Sequence, residues 1–107
     1  MDWDFYPEGL YDALLMLKRY KKPIHVTEAG IADATDSMRA EYITTQVAAM
    51  HQAIQDGVDV RGHMYWSLLD NYEWAFGFEK RFGLVEVNYD TMDRVIRPSA
   101  YIYKDII

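Results

Sequence analysis

The sequence contains no cysteine, which removes disulfide scaffolds, thiolate metal sites and cysteine nucleophiles together. Basic residues are in the minority: 11 Lys and Arg stand against 17 Asp and Glu, a formal charge of -6. No basic stripe is available to displace counterions from a phosphate backbone, so nucleic acid is not an expected partner. No apolar run approaches the ~18–20 residues of a membrane span, so a membrane is not one either. The three histidines form no i, i+4 pair and no HExxH pattern, so neither a metal nor another cofactor is expected. Met1-Asp2-Trp3-Asp4 has no basic n-region and no apolar h-region. A secretory leader is therefore not expected, and the chain reads as soluble and cytoplasmic. There is no internal repeat, low-complexity tract or Pro/Ser-rich linker.

What is present is compact and apolar. The chain has 107 residues, half of them apolar and 15% aromatic, enough for one small domain and too apolar for disorder. Tyr6-Pro7-Glu8 reads as a helix start, with Pro near the first helical position. Leu10, Ala13, Leu14 and Leu17 follow at the spacing of one helical face. Lys18, Arg19, Lys21 and Lys22 suit the negative end of that helix, and Pro23 stops it. Ile24-His25-Val26-Thr27 is a short β-rich run that breaks at Glu28-Ala29-Gly30. Residues 31–37 read as a loop, with Asp36 or Ser37 as the N-cap of a second helix. Ile43, Val47, Met50 and Ile54 mark its core face, and Gly57 closes it. Residues 60–69 form a second β-rich run, and an aromatic loop occupies 70–82. Residues 84–88 read as a strand turning through Tyr89-Asp90-Thr91 toward Val95-Ile96. Pro98-Ser99 opens a last short helix.

This order is the βα alternation of a parallel sheet. Parallel strands are normally covered on both faces. Two parallel strands with helices on one side leave their edges and second face open. The chain therefore reads as α/β, a slice of a larger structure and not an independent complete domain.

In α/β barrels the chemistry sits at the C-terminal ends of the strands. Glu28 stands at the end of the first strand and Glu73 in the loop after the second. If Glu28 points into a barrel, alternation places Ile24 and Val26 on its face and sends His25 and Thr27 toward the helices. If Trp66 points inward, Met64 does too, and His63 and Tyr65 point out. Both strand histidines then serve packing or hydrogen bonding in the helix layer. Trp66, Tyr72, Trp74, Phe76, Phe78 and Phe82 fall within 17 positions, among Asp70, Asn71, Glu73, Glu79, Lys80 and Arg81. Flat aromatic faces match the C–H faces of a sugar, and carboxylates and amides match its hydroxyls. Packing of a long loop accounts for the same aromatics, and a lone Glu at a strand end is more often an ion-pair partner than a nucleophile.

Several ordered runs resemble one family. Ile24-His25-Val26-Thr27-Glu28-Ala29-Gly30 resembles the (I/V)-T-E-N-G nucleophile motif of family 1 glycoside hydrolases. Tyr65-Trp66-Ser67-Leu68-Leu69-Asp70-Asn71-Tyr72-Glu73-Trp74 resembles their W-S-L-x-D-N-x-E-W sugar-binding motif. Arg81-Phe82-Gly83-Leu84 with Val87-Asn88-Tyr89 resembles the stretch after it. Tyr6-Pro7-Glu8-Gly9-Leu10-Tyr11 and the closing segment from Pro98 to Ile106 resemble the flanking helices. Gly30-Ile31-Ala32-Asp33 is similar to archaeal-type β-glycosidases. The resemblance covers essentially the whole chain. It implies the last two βα units of a (β/α)8 TIM barrel that hydrolyses β-glucosides, β-galactosides and related compounds with retention. It further implies Glu28 as the nucleophile and Glu73 as the ligand of the C4 and C6 hydroxyls. Trp74 would contact the C3 and C4 hydroxyls, Trp66 would lie under the ring, and Phe82 would line the pocket near C6. It also implies a cis peptide between Trp66 and Ser67. Ala29 departs from the family's usual Asn. Glu73 and Phe82 replace the Ser and Tyr of the 6-phospho-glycosidase relatives, although Lys80 fits that subgroup, so a neutral sugar is expected.

Retaining hydrolysis needs two carboxyls ~5–5.5 Å apart. The family's acid/base is the Glu of an N-E-P motif, and no Asn-Glu-Pro occurs here. Glu73 does not replace it, because its motif position is that of a sugar ligand. The expectation is the small subunit of a split β-glycosidase, completed by a larger N-terminal barrel chain that carries six strands and the acid/base. Met1, just before a helix, stands at a sensible break for such a split. The alternatives are a noncatalytic fragment that binds sugar or stabilises a partner, and a piece excised from a single-chain enzyme.

Overall fold

The structure, a computed structural model, describes residues 3–107; the start read at Met1 and Asp2 lies outside them. The helix α1 (Glu8–Leu17) follows Pro7, whose φ of -60° already suits a helix. Leu10 and Leu14 face the core as expected, joined by Tyr11 and Leu15. Ala13 and Leu17 are exposed instead, because the helix is rolled toward the second one. A 3-10 turn follows at Lys18–Tyr20, and Lys21 takes a left-handed φ of 51° before Pro23.

Strands β1 (Ile24–Ala29) and β2 (Val60–Tyr65) pair in parallel, joined by the crossover helix α2 (Arg39–Gln55). A hairpin of β3 (Val85–Val87) and β4 (Arg94–Ile96) follows the aromatic loop, and α3 (Pro98–Ile106) ends the chain. Leu14, Ala53 and Val58 are buried together, and Ile24, Val26, Met50 and Val60 pack on them. This core lies between the β1–β2 sheet and the two helices α1 and α2.

That packing corrects the strand parity. Ile24 and Val26 face the helix layer, whereas His25 lies beside Gly62, where a Cβ would stand 2.6 Å from its ring Nδ1. Gly62 shares its face with Met64 and Trp66 by alternation, so His25 belongs to the open face of the sheet. The pairing slips between Ile24 and His25 and again between Val26 and Ala29. Such irregularities break the two-residue period from which inward and outward faces are read. The expectation for β2 holds: His63 meets the Tyr103 hydroxyl at 3.0 Å and Tyr65 meets Arg39, both on the helix side.

The inward strip of α2 also differs, running through Arg39, Ile43, Gln46 and Ala53, while Ile54 is exposed. Neither Asp36 nor Ser37 caps this helix. Asp33 does so from five residues upstream, accepting the amides of Met38 at 2.8 Å and Arg39 at 3.1 Å. Asp36, with φ of 60°, serves α3 instead: its carboxylate accepts the Ser99 amide at 2.9 Å and the Ser99 hydroxyl at 2.6 Å. Gly57 closes α2 at a φ of 85°, with Lys18 donating to the Asp56 carbonyl there.

Among the described residues both sheets are two-stranded, and neither closes. The radius of gyration is 14.9 Å, against about 13 Å for a compact chain of this length. The accessible surface is 7141 Å², against roughly 6200 Å² expected for this mass. The open face carries Met64 and Trp66, both exposed. No helix among the described residues is long and apolar enough to cross a membrane.

Candidate functional site

Three segments meet at the C-terminal ends of β1 and β2. The first is the end of β1. Trp66 donates its amide to the Ala29 carbonyl at 2.9 Å, which extends the parallel pairing by one step. Gly30 then passes so close to the second segment that a Cβ there would stand 1.7 Å from the Trp66 carbonyl oxygen. Only glycine fits this crossing.

The second segment leaves β2 through a cis peptide between Trp66 and Ser67, as the family resemblance implies. Ser67 donates its hydroxyl to the Leu69 carbonyl at 2.7 Å and accepts the Asn71 amide group at 3.0 Å. Its backbone pairs with the third segment: the Ser67 amide donates to the Phe82 carbonyl and the Leu84 amide to the Ser67 carbonyl.

Asp70, with no exposed side-chain surface, holds the aromatic loop closed. Its carboxylate accepts the amides of Gly83 at 2.9 Å and Val87 at 3.2 Å and both Arg97 terminal nitrogens at 3.0 and 3.2 Å. Burial alone would raise this carboxyl. The hydrogen bonds from Arg97, Gly83 and Val87, together with the Arg97 charge, hold it below the usual carboxylate range.

The aromatic loop divides its side chains between the two uses open from composition. Tyr72 packs edge-on to Phe78 at 5.3 Å, Phe78 meets Tyr89 at 4.4 Å, and the Arg81 guanidinium lies 4.7 Å over the Tyr89 ring. These rings fasten the loop to the hairpin. Trp66, Trp74 and Phe82 instead line an open cleft of about 590 Å³, together with Trp3, Glu28, Ala29, Gly30, Tyr42 and Glu73. All five residues nominated from sequence thus come to one cavity. Their exposures differ: Phe82 is 2% exposed, Trp66 38% and Trp74 82%. Trp74 stands on a tight turn in which the Glu73 amide donates to the Gly77 carbonyl at 2.7 Å. Ala29 itself lines the cleft, at the sequence position where the family's usual Asn is expected.

Trp3 and Tyr42 are cleft residues that the motifs do not indicate. Trp3 precedes the Tyr-Pro-Glu run and reaches the Phe82 ring at 5.8 Å. Tyr42 lies one turn beyond Arg39 on α2, a spacing that gives no hint of a neighbour at the end of β1. Burial pushes the Tyr42 phenol up, opposed by a hydrogen bond from the Gly30 backbone, so it stays a neutral hydroxyl in the cleft that Glu28 also lines. Among the described residues lining the cleft, Glu28 and Glu73 carry the formal charges, both negative. Lys80 turns away to the Phe76 ring at 5.3 Å. No three His, Asp or Glu among the described residues come together as metal ligands. The cleft therefore offers carboxylates, aromatic faces and a phenol: groups suited to a neutral polyhydroxylated ring.

Comparison with known proteins places this geometry. The family model for glycosyl hydrolase family 1 matches residues 1–107. A beta-galactosidase of Saccharolobus solfataricus is 51% identical over 97% of this chain and 22% of its own length. Beta-glucosidase A of Acetivibrio thermocellus is 47% identical over the whole chain and 26% of its own length. The solved beta-glycosidase from Pyrococcus horikoshii superposes with a TM-score of 0.94 at 52% identity, over 97% of this chain and 25% of that one. The chain spans roughly a quarter of the relatives it matches.

Proposed function

The chain belongs to glycosyl hydrolase family 1, and from that premise we propose that it is the nucleophile-bearing quarter of a retaining β-glycosidase. Residues 1–107 are then a C-terminal barrel segment, not an independent complete domain. A larger chain supplies the first six strands and the acid/base glutamate. The observation that carries this reading is the convergence of Glu28, Trp66, Glu73, Trp74 and Phe82 on one cleft at the strand ends of an unclosed sheet.

In the assembled site the Glu28 carboxylate attacks the anomeric carbon of a terminal β-D-glucosyl or galactosyl unit. The glycosidic bond breaks as the partner's acid/base protonates the leaving oxygen. Water, deprotonated by the same group, then cleaves the glycosyl ester and returns Glu28 as a carboxylate. Trp66 lies under the ring and Phe82 lines the C6 side. Glu73 accepts from the C4 and C6 hydroxyls, and Trp74 donates near C3 and C4. Two carboxylates with no cation in the cleft lining favour a neutral sugar over a phosphorylated one.

The test is aryl-β-glucoside hydrolysis by the chain alone and with the larger chain. Activity is expected only in the complex, and Glu28→Gln should lower kcat there on the order of 10⁴-fold with assembly intact. Full activity of the 107-residue chain alone, or unchanged turnover in the variant, would overturn the reading. One alternative is a noncatalytic fragment that binds sugar or stabilises its partner, against which the retained Glu28 and Glu73 argue. A fluorinated glycoside separates the two, since covalent label on Glu28 requires a working nucleophile.

A further inference from the structure

A fully buried charged side chain, distinct from Asp70, lies outside the cleft lining. Arg39 is 0% exposed, and every nitrogen of its guanidinium has a partner. Nε donates to the Tyr65 hydroxyl at 3.0 Å. One terminal nitrogen pairs with the Asp36 carboxylate. The other donates to the Asp33 carbonyl and, at 2.9 Å, to the Arg81 carbonyl. The Arg81 carbonyl also accepts the Asp33 amide at 2.9 Å. Asp33 follows Glu28 by five residues, Tyr65 precedes Trp66, and Arg81 precedes Phe82. One guanidinium therefore touches the three segments that carry the nominated nucleophile, the ring platform and the C6-side aromatic.

We propose that Arg39 is a positioning residue that fixes the Glu28 segment against the Trp66 and Phe82 segments, an inference that rests on the reading of Glu28 as the nucleophile. Its planar fork reaches all three segments at once. A lysine offers a single ammonium at the end of a flexible stem and cannot span the same set. Arg39 is not among the residues that line the cleft, so it acts through the geometry it imposes. Small displacements of a nucleophile relative to the bound ring are costly, because reaction needs the reacting atoms in near-attack contact. Tyr42, one turn along the same helix, lines the cleft, so α2 carries the staple and a cleft wall together.

Two measurements on Arg39→Lys decide the matter. The first is amide hydrogen exchange in the full 107-residue chain, which needs no activity. Exchange at the Asp33 amide, whose acceptor is the Arg81 carbonyl, should rise about tenfold or more. Amides paired across the β3–β4 hairpin should keep their rates. An unchanged Asp33 amide overturns the proposal, and so does a uniform rise across the chain. The second is steady-state kinetics in the complex with the larger chain. There kcat should fall by about ten- to a hundredfold, with KM changed less than threefold and the assembled fraction held equal. A kcat per assembled site equal to wild type also overturns it. If the wild-type complex itself is inactive and Glu28 takes no label, the glycosidase reading fails while the exchange experiment still decides whether Arg39 couples the segments.

Discussion

Gly30 sets the narrowest tolerance in the molecule. The atom it approaches is backbone, so no change of rotamer can relieve an added methyl. Gly30→Ala should therefore destabilise the chain by about 1–3 kcal/mol or more, read as a lowered denaturant midpoint. A midpoint unchanged within error would mean that the two strand ends separate freely. The sequence supplied Gly30 as part of a motif without the reason for it, since a collision between residues 30 and 66 has no local signal. Glu28, Trp66, Glu73, Trp74 and Phe82 were legible because three motifs carry them in order. Trp3, Tyr42, Asp33 and Arg39 were not. Asp33 caps a helix from five residues away and Arg39 is a buried cation, both outside the patterns by which caps and cores are recognised.

At the scale of elements, strands and helices were legible almost throughout, while the faces they present were read less well. The bulged pairing of β1 inverted the expected parity of Ile24, Val26 and His25, and α1 and α2 each roll away from their most apolar stripe. The aromatic loop is held by its buried carboxylate as well as by its rings. The folded Asp70 carboxyl sits below its ordinary value, so its contribution is complete above the unfolded value of about 3.9. That contribution is lost as pH falls through the lower folded value. Asp33 behaves alike: burial would raise it, but the Met38 amide, Thr35 hydroxyl and Arg39 amide hold it down. Asp70→Asn should cost about 3–5 kcal/mol at neutral pH by removing the buried charge opposite Arg97, which keeps only the exposed Glu86 at 3.8 Å as a counter-ion. Its stability should also decline less steeply than wild type below about pH 4. Parallel slopes in acid denaturation would show that Asp70 carries no such share.

For the whole molecule, incompleteness was the feature most plainly legible, because two strands with helices on one side cannot finish a parallel sheet. Met64, Trp66 and Leu68 are exposed, and the outer edges of β1 and β2 are unpaired among the described residues. If a larger chain completes the barrel, amides on those outer edges should become strongly protected from exchange on assembly. Edges that exchange equally fast in the complex would exclude barrel completion and leave surface association.

Asp36 couples the loop after β1 to α3, 63 residues apart. A polypeptide made from its N-terminus thus presents this aspartate, in a left-handed turn, long before Ser99 exists. The helix α3 is made later and adds the Ser99 contacts, so the loop after β1 gains this fastening only once α3 has left the ribosome.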